Sequence, residues 1–261
     1  MIELFIQNFQ LFLLVLCRIT AMIQVAPLLS SGAIPQLAKV GLSFFTAITI
    51  LPWVVQTGYQ IPQSFIQYAL LVLGEVLLGI LIGFLLVIIY AAFQVAGQFF
   101  SLQMGFGASQ VFDPLAQIEI PLMGQFLNIM GMFVFIAVGG LTKFFLVGVS
   151  RSFEAVTALH FVAAREYLVA LLLRSLGQLF GHALTISFPV LGTLLLISVT
   201  MGLLAKAAPQ MNLLMMGFPI AIGSAFLVLF LSLPFLVAAF GRIIDMSFES
   251  LARTLQALRG G

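Results

Sequence analysis

Gly105 and Gly107 flank Phe106, and Phe112-Asp113-Pro114 follows shortly after, all inside a polar, glycine-rich island running from Gly97 to Pro114. The chemistry open to these residues is mechanical. Glycine permits backbone geometry closed to other residues. Pro114 fixes its own φ and pushes Asp113 away from the helical region. Met104, Phe106, Val111 and Phe112 place bulky apolar tips on that bendable backbone. Phenylalanine rings fill area with few rotamers, and methionine deforms around irregular shapes. These are the properties of a hydrophobic plug, which fills a lumen, excludes water and ions, and still moves aside. The same residues also suit an ordinary re-entrant or membrane-surface connection, and the pattern alone leaves both readings open.

The surroundings of the island sharpen its meaning. It separates two long apolar runs, and in hydrocarbon each unsatisfied peptide group costs several kcal/mol. Irregular backbone survives there only inside protein or against a water-filled space, so the chain reads as part of a pore or gate. Composition agrees: 62% of the residues are hydrophobic and only 7% are charged, where soluble domains carry about 25%. The mean hydropathy of +1.24 belongs to an integral membrane protein or to a subunit buried in a membrane complex. The formal net charge of +2 is not gathered into a basic stripe, which argues against nucleic acid as a partner. Cys17, the one cysteine, allows no internal disulfide and reads as a small core residue. His160 and His182 stand alone, without a carboxylate or cysteine at ligand spacing, so no metal site or cofactor is expected. No G-x-S-x-G, Walker loop or dinucleotide fingerprint occurs, and the expectation is a protein that is not an enzyme. The amino terminus opens with Glu3 and lacks the basic flank of a cleavable signal, so its apolar stretch is expected to stay in the mature protein.

Two charges sit where charge is expensive. Glu75 lies near the start of a long apolar run, and Arg18 lies within the first one. An intramembrane carboxylate must pair, protonate or face water. Glu75 therefore reads either as a pore-lining or proton-coupled group, or as a structural ion pair or hydrogen-bonded cap with a neighbouring subunit. Arg18 is a possible partner for it.

Charge-free runs of about 20 residues are long enough to span the hydrocarbon layer. By that rule the chain is all-α, a polytopic membrane protein of about six long helical segments. They are expected at about Glu3–Val25, Leu37–Val55, Phe65–Gln98, Pro121–Val147, Leu168–Ala207 (interrupted by Pro189) and Asn212–Phe240 (through Pro219 and Pro234). The stretch from Arg151 to Glu166 reads as an exposed amphipathic helix or loop. A charged tail from Arg242 to Arg259 shows helical spacing, with Ile243, Met246, Leu251, Leu255 and Leu258 on the apolar side. No linker divides residues 1–261 into domains. Six crossings place Lys143, Arg151, Arg165, Arg174, Arg242, Arg253 and Arg259 on one side, which the positive-inside rule makes cytoplasmic together with both termini. Gly79 with Gly83, and Gly177 with Gly181, form G-x-x-x-G steps that let helix backbones approach closely. A second punctuated segment, Ala205 to Pro219, reads as a turn marked by Pro209 and Asn212, with Asn212 as a helix N-cap. Its tip carries Lys206, which suits either a docking tip at a pore entrance or a snorkelling interfacial lysine.

At these motifs the chain resembles the FliR family of type III secretion export-gate subunits, which includes injectisome relatives. The resemblance covers essentially the whole length. It rests on Ala26-Pro27 to Gly41-Leu42 with Pro35 and Lys39, on Leu73-Gly74-Glu75 through Gly83-Phe84, on Gly97-Gln98 through Gln103-Met104-Gly105 to Asp113-Pro114, and on Ala208-Pro209-Gln210 through Gly217-Phe218-Pro219. It implies a passive subunit of an export channel for unfolded flagellar proteins in the bacterial inner membrane, at the flagellar basal body. Its sisters would be FliP and FliQ, arranged with it as hairpins in a helical hetero-oligomeric gate, much of which stands above the usual bilayer plane. The substrate-switch protein FlhB and the export-gate protein FlhA are implied as further partners, and the tail ends too soon after Arg259 for a fusion to FlhB. Carried onto this sequence, residues 103–119 match the plug loop, with Met104, Phe106 and Phe112 filling the lumen and Gly105, Gly107, Asp113 and Pro114 shaping it. Lys206, Pro209, Gln210, Gly217, Phe218 and Pro219 would pack against sister subunits near the cytoplasmic entrance. The rival readings are an injectisome paralogue for effector secretion and, in a different class, a secondary transporter with broken helices. No inverted repeat or convergent polar pocket supports the transporter.

Overall fold

The structure, a computed structural model, describes residues 2–59, 61–62, 64–105, 122–155, 165–208, 210 and 213–259. Among them there is no strand. The helices are α1 (Ile2–Val25), α2 (Gln36–Gln56), α3 (Phe65–Gln103), α4 (Leu122–Ala137), α5 (Gly140–Lys143), a π-helical stretch (Phe144–Ser150), α6 (Arg151–Ala155), α7 (Arg165–Ala207) and α8 (Leu213–Arg259). Among the described residues five helices are long and apolar enough to cross a membrane, or six if the broken pair Leu122–Ala137 and Gly140–Glu154 makes one span. The all-α polytopic expectation therefore holds.

Several local expectations change. α3 continues through Gln103, so the first part of the glycine-rich island is regular helix and the backbone departs from it only at Met104 and Gly105. The fourth span breaks at Val138-Gly139, where Gly139 takes φ +70° and the helix restarts through a π-helical stretch. That left-handed turn suits glycine because a β-carbon is unfavourable there. Pro189 does not interrupt α7, and α8 runs 47 residues through Pro219 and Pro234. The tail is thus the end of α8 and not a separate segment. Its buried stripe is Ile243, Ile244, Phe248, Leu251 and Leu255, whereas Met246 is half exposed.

The chain forms two compact units, each assembled from separate stretches. The first takes residues 1–89, 139–176 and 244–261. Here α1 and α2 pair through a connection held by Lys39, whose ammonium donates to the Ser30 carbonyl at 2.9 Å. Helix α3 lies against α1 along a stripe of Glu75, Gly79 and Gly83, one helical turn apart. A β-carbon added at Gly79 would strike the Arg18 carbonyl and Ala21, and one at Gly83 would strike Val25 and the Met22 carbonyl. This G-x-x-x-G step is used as expected. The end of α8 is pinned in the same unit by Lys143, which donates to Asp245.

The second unit takes residues 90–138 and 177–243. Its centre is the contact between the end of α3 and α4. Gly97 meets the backbone of Gly124 and the Met123 carbonyl, Gly124 meets the Gln94 carbonyl, and Gly131 seats the Phe93 ring. Phe93 also stacks on Phe240 at 4.1 Å between ring centroids. In contrast, Gly177 and Gly181 have nothing within 4 Å of where a β-carbon would sit, so the second G-x-x-x-G step makes no close contact among the described residues.

Candidate functional site

Two places concentrate the residues singled out by sequence. The first is a closed charge cluster in the first unit. Arg18 and Glu75 are both fully buried, and the Arg18 Nε donates to a Glu75 carboxylate oxygen. Tyr59 donates its hydroxyl to the other oxygen. The Arg18 Nη1 donates to Ser152 Oγ at 3.3 Å, and Ser152 in turn donates to the Val149 carbonyl at 2.7 Å. The guanidinium lies 3.9 Å from the centre of the Phe153 ring, a cation–π contact strengthened by exclusion of water.

Local sequence explains each position. Glu75 shares the α3 face of Gly79 and Gly83, and the close backbone approach at Gly79 brings α1 and Arg18 within reach. Gly58, at φ +71°, turns the chain after α2 so that Tyr59 faces Glu75. Ser152 and Phe153 open α6 directly after the π-helical stretch. Sequence reading suggested the Arg18–Glu75 pair but missed Tyr59, Ser152 and Phe153. The stretch from Arg151 to Glu166 is expected as an exposed amphipathic helix or loop; residues 156–164 of it lie outside the described residues, and Ser152 and Phe153 are buried. The adjacent charges Arg151 and Glu154, both exposed, mask those two inward positions. Glu75 finds its partner within its own chain, so no neighbouring subunit is needed to neutralise it.

The second place is the end of α3 in the second unit. Met104 is fully buried and Gly105 has φ +86°. Phe106, Gly107, Phe112, Asp113 and Pro114 lie outside the described residues. Phe218, from the start of α8, reaches Gly105: a β-carbon placed there would overlap the Phe218 ring. Beside this contact a groove of about 390 Å³ is lined by Gln103, Met201, Ala205, Gly217, Phe218 and Ala221. Lys206 is exposed in the last turn of α7, Gln210 is exposed just beyond it, and Pro219 is exposed on α8. Pro209 and the expected N-cap Asn212 lie outside the described residues. Phe218, expected to pack against a sister subunit, also meets Gly105 within its own chain and is half-buried.

Helix length bears on the setting. At 1.5 Å rise per residue the 39, 43 and 47 residues of α3, α7 and α8 extend about 58, 64 and 70 Å, against a hydrocarbon core of about 30 Å. The apolar stretches of α7 and α8 bury only 11% and 17% of their residues. Phe180, Phe188, Leu196, Phe230 and Phe235 are among the large side chains left outward. These features define a helical, polytopic membrane protein with more apolar surface than its own fold covers.

Residues 9–247 match the family described as "Bacterial export proteins, family 1". A protein of Borreliella burgdorferi named flagellar biosynthetic protein FliR is 32% identical over 246 residues, covering 93% of this chain and 89% of that protein. Its namesake in Bacillus subtilis is 28% identical over 98% of both chains, and that in Escherichia coli is 23% identical over 93% of this chain and 92% of its own. The chain belongs to this family of bacterial export proteins, the one that includes FliR.

Proposed function

We propose that this chain is the FliR-type subunit of a flagellar type III export gate, assembled with FliP and FliQ around a channel for unfolded flagellar proteins. The carrying observation is its likeness to relatives named flagellar biosynthetic protein FliR over nearly the full length of both chains. The uncovered apolar faces of α7 and α8 support a hetero-oligomer, because helices about twice the bilayer thickness need protein neighbours as well as lipid. Its place is the bacterial inner membrane at the flagellar basal body, where FlhA and FlhB are its neighbours and lipid surrounds part of it. The segment 103–119, carrying Met104, Phe106 and Phe112, acts as a plug that keeps the channel closed until substrate arrives. Lys206, Gln210 and the turn around Pro209 contact sister subunits near the cytoplasmic entrance. The Arg18–Glu75 cluster serves as an internal clamp of the subunit.

Replacing both Phe106 and Phe112 by alanine tests the plug. Each loses a ring that excludes water from the lumen, and ion conductance of the assembled gate should rise while assembly is retained. Unchanged conductance in a correctly assembled double variant would refute the plug.

A further inference from the structure

The turn that ends α3 is held by a side chain distant in sequence. Met104 donates its amide to the Phe100 carbonyl at 2.8 Å, and Gly105 donates to the Leu102 carbonyl at 3.1 Å, so the final turn tightens. Gly105 then takes φ +86°, a conformation L side chains rarely adopt. The Phe218 ring lies over this glycine, with Cδ1 and Cε1 filling the place a β-carbon would need. The dihedral favours glycine at this position, and a β-carbon would also meet the Phe218 ring unless the ring shifted. Phe218 itself is only half-buried, and it also borders the groove formed with Met201, Ala205 and Ala221. The ring thus has a firm contact on one side and space on the other.

We propose that Phe218 is a positioning residue whose ring latches Gly105 and so sets the direction in which the chain leaves α3. The groove gives the ring room to rotate off Gly105 without disturbing the glycine-packed contact of α3 with α4. The latch concerns only the end of α3 and the start of α8, and it does not depend on the plug reading above.

The test uses the full chain, co-expressed and purified with its membrane partners. Hydrogen exchange at the amides of Met104 and Gly105 reports the latch directly. Phe218→Ala should speed exchange there by about tenfold or more, because local opening becomes easier once the ring is gone. Phe218→Tyr, which keeps the ring, should stay within about twofold of the parent. Gly105→Ala is the second variant should Phe218→Ala fail to assemble, and it too should speed exchange. In the double variant the increase should fall short of the product of the two single effects, since the added methyl no longer meets a ring. Exchange in Phe218→Ala within twofold of the parent would overturn the latch, whatever the conductance. Absence of ion leak in the Phe106→Ala/Phe112→Ala gate would overturn the plug reading, and the exchange rates would still decide the latch.

Discussion

Replacing Glu75 with alanine should destabilise the protein by about 3–5 kcal/mol, the usual consequence of stranding one member of a buried ion pair. Arg18 is fully buried, and its guanidinium would lose its carboxylate partner while keeping the Ser152 bond and the Phe153 ring. Arg18→Ala should be comparably damaging, because the fully buried Glu75 carboxylate would lose its cationic partner. The double replacement Arg18→Leu/Glu75→Leu should lose much less than the two single effects added together. Apolar side chains need no compensating charge, and replacing a whole buried pair is often close to neutral. Thermal unfolding of the purified chain in mild detergent reads all three. Singles near the parent, or a double variant at the sum of the singles, would show that the pair does not clamp this unit. The clamp also separates two roles for an intramembrane carboxylate. A group needed for ion or proton passage would be lost in the double variant as surely as in the single, whereas a structural clamp is rescued.

Gly97→Leu should be nearly as severe, for a steric reason. Its β-carbon would meet the Gly124 backbone and the Met123 carbonyl, neither of which moves as a side-chain tip would. Overpacking against movable side chains costs about 1–3 kcal/mol, and the cost rises when both surfaces are backbone. Gly177→Leu is the internal control. Nothing lies within 4 Å of its β-carbon, so the folding of this chain should tolerate it. Thermal unfolding in detergent compares the two, and equal tolerance would contradict the close α3–α4 contact.

The same contrast shows what sequence could reveal. Two G-x-x-x-G steps look alike as strings, yet Gly79 and Gly83 meet α1 while Gly177 and Gly181 meet nothing among the described residues. Spacing identifies a surface of close approach but not whether this chain or another supplies the opposing surface. Helix positions were legible because charge-free runs of bilayer length have few other uses in an aqueous cell. The proline reading erred at α7, where helix continues through Pro189, and held at α8, which passes through Pro219 and Pro234. Membrane helices tolerate proline because nearby groups satisfy the freed backbone. The break at Gly139 carried only a Gly-Gly pair as its signal and went unread. At the site, Arg18 and Glu75 stood out because charge is rare in such runs. Tyr59, Ser152 and Phe153 did not, since their role depends on long-range contacts that local pattern does not encode. The Phe218–Gly105 contact was hidden likewise: each residue was singled out, but for different surfaces.

The central claim is that this chain completes a hetero-oligomeric export gate. Native mass spectrometry tests it most directly, with the tagged chain co-expressed alongside its genomic neighbours and released in mild detergent. One discrete complex containing this chain and two small hydrophobic partners of the FliP and FliQ type is the expected result. Recovery only as a lone monomer or homodimer would contradict it.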